Sequence, residues 1–486
     1  MNSIDLRFWT GLSQLEPLNQ PIAAVSSALS PKTWPFELEW LPTSAYLVGG
    51  TVRDALLGRE SEYLDLDFVL PEAAVETAQT IARHYRAGFV LLDAERQIAR
   101  VVFPQGTVDF AQQVGPTLEA DLKRRDFTVN AIAYNPHTDQ IRDPLQGYAD
   151  LQKRLLRMVS PENLREDPLR LLRAYRQAAQ LSFTLEPATR TVVRQLAGLL
   201  RRIAAERVQS ELNYLLSTAK GTPWLSAAWQ DGLLQDWFPD AEGASLERVA
   251  AIDHIAQHLE ETAPAMFAEL VSPLRATPRT IARSESGCPT PPEPKASGST
   301  RTWLTTAKLA SLLPPQPTTA EAQLRRLKYS RTEIQAAITV LKFLPDLLEA
   351  SEETLRSPRQ QYQFFQNAGT AFPALAVSAL ALGVAETIVD PLMTHFVVPG
   401  DAIAHPSALL TGQDLMAALK LAPGPHIGRL LAEIQLARAE GKITTEAEAL
   451  ALALGVSQNE HQGRVISDRV QLHKEQFHKK QLHKEQ

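Results

Sequence analysis

Asp65 and Asp67 are one residue apart in YLDLDFVL, a run in which acidic and apolar residues alternate with the period of a half-buried strand. On a strand, that spacing projects both carboxylates from one face, where they can share a hard divalent cation. Taken alone, an Asp-Leu-Asp equally suits two solvent-facing charges. The preceding LVGGTVRD changes the balance. Gly49 and Gly50 let backbone approach a ligand, and a helix N-terminus follows with Arg53 in its first turns, a combination that suits a triphosphate. An ordinary turn followed by a surface arginine is the alternative. A phosphate cradle one short helix before a pair of metal carboxylates is what nucleotidyl transfer needs: two metals about 3.5–4 Å apart activate the attacking hydroxyl and stabilise the leaving pyrophosphate. Asp109, in TVDFA, is a candidate third carboxylate, with a structural role as the alternative.

Two further clusters carry chemistry. In DLKRRDFTVNA, Arg125 could meet phosphate while Asp126 and Asn130 hydrogen-bond ribose hydroxyls, or Arg124, Arg125 and Asp126 could simply pair with one another. In EDPLRLLRAYRQA, Asp167 lies three residues before Arg170, and Arg170, Arg173 and Arg176 recur every three residues on one helix face. A salt-bridged helix would look similar, but three arginines among leucines and a tyrosine form a face that calls for an anionic partner. From Lys153 to Arg207 there are twelve basic and five acidic residues, a local surplus of seven positive charges. A polyanionic substrate fits that collar.

The elements that position these residues are legible in outline. SAYLVGG reads as a strand running into a glycine turn, and TVRDALLG as a short helix with Val52, Ala55 and Leu56 on its apolar face and Gly58 closing it. Further strands are expected in YLDLDFVL, GFVLLD, ARVVFP and TVDFA, with PEAAVETAQTIARHYR as a crossover helix. From about Leu151 the pattern turns helical and strand signals disappear. The expected fold class is α+β, a mixed sheet with helices followed by an all-helical remainder. The segment from Ser272 to Thr300, rich in Pro, Ser and Thr, reads as a flexible insertion. In the closing HKEQ-type repeat, His473, His478 and His483 are five apart, a spacing that walks around a helix, so a solvated tail is expected in place of a metal site.

Composition excludes several classes. The chain has 486 residues, 44% hydrophobic and 21% charged, with a net charge of −6. It is globular, and it does not hold nucleic acid by bulk positive charge. A single cysteine, Cys288, rules out an internal disulfide or a cysteine metal cage and suits an intracellular protein. The N-terminal MNSIDLRFWTGLSQLEPLNQ lacks the basic region of a signal peptide, and the most apolar stretch, AFPALAVSALALGVAETIV from Ala371, carries Pro373 and Glu386 and reads as a buried helix, not a membrane span. No GxxxxGK[ST] is present, which removes a P-loop kinase or ATPase.

LVGGTVRDALLG with DLD, then RRDFTVNA, DPLQGYADL, EDPLRLLRAYR and ERVQSEL occur in the order and spacing of the class II tRNA nucleotidyltransferase and bacterial poly(A) polymerase family, which this chain resembles. LLTGQDLMAALKLAPGPHIGRLLAEIQLARAEG is similar to the tail of that family. The resemblance implies a polymerase-β-like nucleotidyltransferase head at 1–140, a helical neck at 141–245, the start of a helical body at 246–271, the insertion at 272–302, body and tail at 303–455 gripping tRNA, and a polar tail at 456–486. It implies that Gly49, Gly50 and Arg53 contact the triphosphate and that Asp65 and Asp67 bind Mg²⁺. Arg125, Asp126 and Asn130 would then hold phosphate and ribose, while Asp167 and Arg170, with Arg173 and Arg176 nearby, would read the incoming base. DPLQGYADL would be the hinge between head and neck, and Glu206 and Arg207 would brace the neck helix. One departure bears on specificity: family members that complete the CCA end usually carry a longer loop with an Arg-Arg-Pro-like core before RRDFTVNA, whereas only AQQVGPTLEA joins Phe110 to Asp121 here. That resembles the CC-adding branch, which uses CTP and leaves the terminal adenosine to a separate A-adding enzyme; full CCA addition or A addition from ATP, and poly(A) synthesis, are the alternatives. The expected enzyme is cytoplasmic, with no membrane partner. A structured-RNA-binding protein with a lapsed site is the rival from another class.

Overall fold

The computed structural model describes residues 29–59, 63–274 and 301–456. The interior of the Pro-rich segment, the His-Lys tail and the N-terminal segment, for which the sequence raises expectations, lie outside those residues. The chain divides into two compact units, residues 1–239 and 240–486.

The first unit is built on a seven-stranded sheet. In chain order its head contains β1 (Tyr46–Val48), α1 (Gly50–Leu56), β2 (Leu64–Leu70), α2 (Ala74–Tyr85), β3 (Gly88–Asp93), β4 (Ile98–Phe103), β5 (Gly106–Gln112), α3 (Leu118–Leu122), β6 (Ala133–Asn135) and β7 (Gln140–Arg142). The spatial order is β3-β4-β5-β2-β1-β6-β7. Every neighbouring pair is antiparallel except β2 and β5, which run parallel because α2 and the β3-β4 hairpin intervene. All the strands expected as far as TVDFA are present, and α2 is the expected crossover helix. Alternation along β2 divides its residues between two environments. Leu66, Phe68 and Leu70 are buried, and Phe68 stacks on Phe110 at 5.6 Å and meets Trp34 edge-on at 5.2 Å. Asp65 and Asp67 take the other face. At the sheet's outer edge, β3 leaves Phe89 to Leu92 exposed.

The remainder of this unit comprises α4 (Gly147–Gln152), β8 (Leu155–Leu156), α5 (Pro161–Glu166), α6 (Leu169–Leu181), β9 (Thr184–Leu185), α7 (Pro187–Leu196), α8 (Ala205–Leu216) and α9 (Thr222–Gln230). The expectation that strands end before Leu151 needs correction: β8 and β9 form a two-residue parallel ladder around α6. A pairing that short leaves no alternation to read in sequence. Gly147 opens α4 where a side chain could not fit, since a Cβ there would lie 2.2 Å from the Thr128 carbonyl oxygen. Asp143 secures the same turn by accepting from the Gly147 and Tyr148 N–H groups.

The second unit is built of helices among its described residues, including those at Gly243–Thr262, Trp303–Ser311, Arg331–Leu348 and Phe372–Ala381, with an isolated antiparallel bridge between Pro273 and Thr302. The stretch from Ala371 is buried over its first half only, with every residue from Phe372 to Ala379 in the core and Leu382 to Thr387 mostly exposed. It is two helices, however, not one. Gly383, at φ +88°, breaks the chain before a second helix at Glu386–Val397. A smaller core around Leu415, Ile427, Leu430 and Ala449 organises the C-terminal helices. At the borders of the Pro-rich segment, the Leu274 N–H donates to the Arg301 carbonyl at 2.8 Å, so the two ends of the insertion meet. Among the described residues, no helix is long and apolar enough to cross a membrane.

Candidate active site

The site begins where β1 turns into α1. Gly49 has φ +80° and ψ −141°, a backbone state costly for any residue with a Cβ. A Cβ there would also stand 3.3 Å from Asp67 Oδ2 and 3.6 Å from Arg125 Nη1. The glycine therefore lies against both a proposed metal carboxylate and a proposed phosphate arginine, and the expected grouping of these three residues is present in space. Asp65 is exposed and Asp67 partly so, both on β2. Thr107 Oγ1 donates to Asp65 Oδ1 at 2.7 Å, and Thr51 Oγ1 donates to the Asp65 carbonyl. Burial, then the charges of Asp65 and Asp109, push the Asp67 carboxyl up to about 7. A divalent cation fits this donor set, because it would offset the mutual repulsion that raises Asp67.

Asp109 is paired with Asp67 in the parallel β2-β5 register but accepts a two-pronged fork from Arg100, Nε to Oδ1 at 2.7 Å and Nη2 to Oδ2 at 2.8 Å. Among the described residues no group of three or more His, Cys, Asp or Glu side chains is arranged to hold a metal. All three carboxylates share the face, and Asp109 is engaged by Arg100.

A second cluster is a buried polar network joining α1, the 128–130 turn and α6. Arg53 donates through Nη1 to Asn130 Oδ1 at 2.8 Å and also holds its neighbour Asp54. The Asn130 amide donates to Asp126 Oδ1 and to Gln177 Oε1, each at 2.9 Å. Arg173 ion-pairs with Asp126 at 2.8 Å. Burial alone would raise Asp126, but Arg173, the Asn130 and Phe127 hydrogen bonds and the charge of Arg170 hold it below the usual carboxylate range. Asp126 and Asn130 thus bond to one another and to the neck.

The third cluster lies at the α5-α6 junction. Asp167 caps the end of α5, and Pro168 then starts α6, as expected of a proline that cannot continue the preceding helix. Asp167 accepts from both terminal nitrogens of Arg207 on α8, at 3.2 and 2.8 Å. Arg170 Nη1 donates to the Arg124 and Asn163 carbonyls at 2.9 and 3.1 Å. Arg176 binds Glu211 and Gln180 and lies over the Tyr214 ring. Much of the anionic partner that the arginine stripe calls for is therefore internal: Asp126 for Arg173 and Glu211 for Arg176. Sequence reading did not single out Arg100, Thr107, Gln177 or Glu211. Of these, only Gln177 carried a signal, since it stands one turn after Arg173 on the same helix face.

Comparisons with known proteins show the family to which the chain belongs. The "Poly A polymerase head domain" profile matches residues 45–157, "RNA and SrmB-binding site of polymerase A" matches 182–244, and "tRNA nucleotidyltransferase domain 2" matches 295–454. A CC-adding tRNA nucleotidyltransferase of Synechocystis sp. is 48% identical over 86% of this chain and 95% of its own length. A CC-adding enzyme of Geobacter sulfurreducens is 31% identical over 83% and 90%, and an A-adding enzyme of Deinococcus radiodurans 35% identical over 84% and 95%. The fold is shared with a CCA-adding enzyme solved with CTP, at a TM-score of 0.63 and 22% identity over 86% of this chain and 90% of that one. The chain belongs to the tRNA nucleotidyltransferase and poly(A) polymerase family and is a nucleotidyltransferase.

Proposed function

We propose that this enzyme adds cytidines to the 3′ end of tRNA from CTP, stopping after CC. The observation that carries the reading is the connection between β5 and α3. Residues 113–117 close on themselves: Gln113 N–H donates to the Leu70 carbonyl at 2.7 Å, Val114 N–H donates to Asp121 at 3.1 Å, and Thr117 caps α3. This leaves no length for the extended loop of CCA-completing relatives. The CC-adding relatives of Synechocystis and Geobacter sulfurreducens support the same choice, and the A-adding relative of Deinococcus radiodurans makes A addition the outcome to test against.

On this reading, residues 1–140 carry the chemistry, the neck at 141–245 selects the base, and the helices within 246–271 and 303–455 grip the tRNA. Gly49, Gly50, Arg53 and Arg125 border the triphosphate, where the open backbone at Gly49 permits close approach. Asp126 and Asn130 meet the ribose as one preorganised unit. Asp167 and Arg170 face the base: the carboxylate can accept from the cytosine N4 amine and the guanidinium can donate to O2 and N3, with Arg173 and Arg176 behind them. Asp65 and Asp67 hold Mg²⁺, which supplies charge neutralisation for the phosphates and activation of the terminal hydroxyl.

The test incubates the protein and Mg²⁺ with tRNA transcripts ending before CCA, after C and after CC, each with labelled CTP or ATP, and resolves products at single-nucleotide length. Cytidine gain on the first two with no ATP incorporation on the third is expected. One adenosine on the CC end would refute the loop argument, and no extension at all would refute the enzymatic assignment of this site.

A further inference from the structure

One row of paired residues crosses the head sheet: Val48 on β1, Asp67 on β2, Asp109 on β5, Arg100 on β4 and Val90 on β3. Residues paired across a sheet share a face and stand about 5 Å apart. Asp109 is therefore placed midway between the proposed cation site at Asp67 and the guanidinium of Arg100, within reach of either. Arg100 takes it. Both carboxylate oxygens accept from the fork, at 2.7 and 2.8 Å, a bidentate pairing that is among the strongest a neutralising side chain can make. Arg100 also feels the charges of Asp65 and Asp67, so it faces the whole acidic row and not Asp109 alone.

We propose that Arg100 is a positioning residue that withholds Asp109 from the cation, keeping the site at two aspartates so that tight cation binding waits for the nucleotide's own phosphates. The inference rests on reading Asp65 and Asp67 as the cation site. It accounts for a third carboxylate in the catalytic row that joins no three-ligand group. The pair is partly open to solvent, with 35% of the Arg100 and 18% of the Asp109 side chain exposed, so a single substitution at Arg100 frees Asp109 without opening the core. It also gives a functional reason for an arginine in particular. A lysine would supply the charge without the fork that engages both oxygens.

The test counts free Mn²⁺ by electron paramagnetic resonance during titration of the nucleotide-free protein, with circular dichroism melts confirming that each variant folds. Arg100→Leu should raise Mn²⁺ affinity about tenfold as Asp109 joins the shell. Arg100→Lys, which keeps the charge, should raise it about threefold. Asp109→Asn should leave it within about twofold of wild type, and Arg100→Leu/Asp109→Asn should lose the gain of Arg100→Leu. The proposal is overturned if Asp109→Asn alone weakens binding tenfold, since the carboxylate would then already be a ligand. It is overturned equally if Arg100→Leu raises affinity while Arg100→Lys does not, which would reduce the effect to lost charge. Asp67→Asn separates the two levels of inference: unchanged Mn²⁺ binding in that variant would remove the cation site itself, and the withholding role with it.

Discussion

Replacing Asn130 by alanine distinguishes the network's structural work from its proposed contact with the ribose. The side chain accepts from Arg53 and donates to Asp126 and Gln177, and all four residues are at least nine-tenths buried. Arg53 would keep two bonds to Asp54, and Asp126 would keep the Phe127 N–H and Arg173, so neither charge is abandoned. Gln177, 1% exposed, would lose the Asn130 amide. At about 1–3 kcal/mol for a stranded buried group, and less for the two partly satisfied charges, the expected loss is about 2–4 kcal/mol. With a urea m-value of about 3 kcal/mol/M, the midpoint for the first unit should fall by about 1 M. The assay is urea unfolding by far-ultraviolet circular dichroism, paired with CTP affinity on the same protein. A midpoint within about 0.2 M of wild type, together with lost CTP affinity, would refute the network as a structural device and leave Asn130 as a simple ligand contact.

Other perturbations separate scaffold from chemistry. Gly49→Ala forces a Cβ into the positive-φ turn against Asp67; it should cost about 1–2 kcal/mol of stability and a larger share of the nucleotidyl-transfer rate, read by calorimetry and single-turnover kinetics. Arg207→Leu parts an exposed pair with Asp167, so its melting should stay within about 0.5 kcal/mol of wild type while discrimination between CTP and ATP changes; unaltered discrimination would exclude Asp167 from base reading. Asp231, whose buried side chain is bound by Tyr175 and by the partly exposed Arg190 and Arg194, should cost about 1–3 kcal/mol when replaced by asparagine. Although burial raises Asp231, those donors bring it below the usual carboxylate range, so its contribution is complete above the unfolded value of about 4 and is lost as pH falls through the lower folded value. Wild type and Asp231→Asn should converge in stability on acidification. On the proposed cation assignment, Asp67, lifted to about 7 by burial and the neighbouring carboxylates, would have to lose its proton to the incoming metal below that pH, so Mn²⁺ affinity should fall about tenfold per pH unit there.

The head was legible because its strands carry strong alternation and its motifs sit at turns with few conformational choices. Asp65 and Asp67 on one strand face and Gly49 at a turn follow from local rules. The two-residue ladder of β8 and β9 was invisible because it has no period to detect. Reading Arg173 and Arg176 as a face awaiting an anion overlooked Asp126 and Glu211, which come from 47 and 35 residues away in sequence. Charge counting cannot say whether a partner is internal. Arg100 became meaningful only through register, since its position opposite Asp109 depends on the tight β4-β5 hairpin.

The parallel pairing of β2 with β5 has a kinetic consequence. Asp67 and Asp109 are neighbours across 42 residues, and Leu47 on β1 lies opposite Tyr134 on β6. Such a long-range closure loses chain entropy before any contact rewards it, so the β2-β5 pairing is expected to form after the local β3-β4 and β4-β5 hairpins. On the ribosome, no nascent chain that ends before β5 could present this row, and a ligand sensitive to it would report the closure of β5 onto β2.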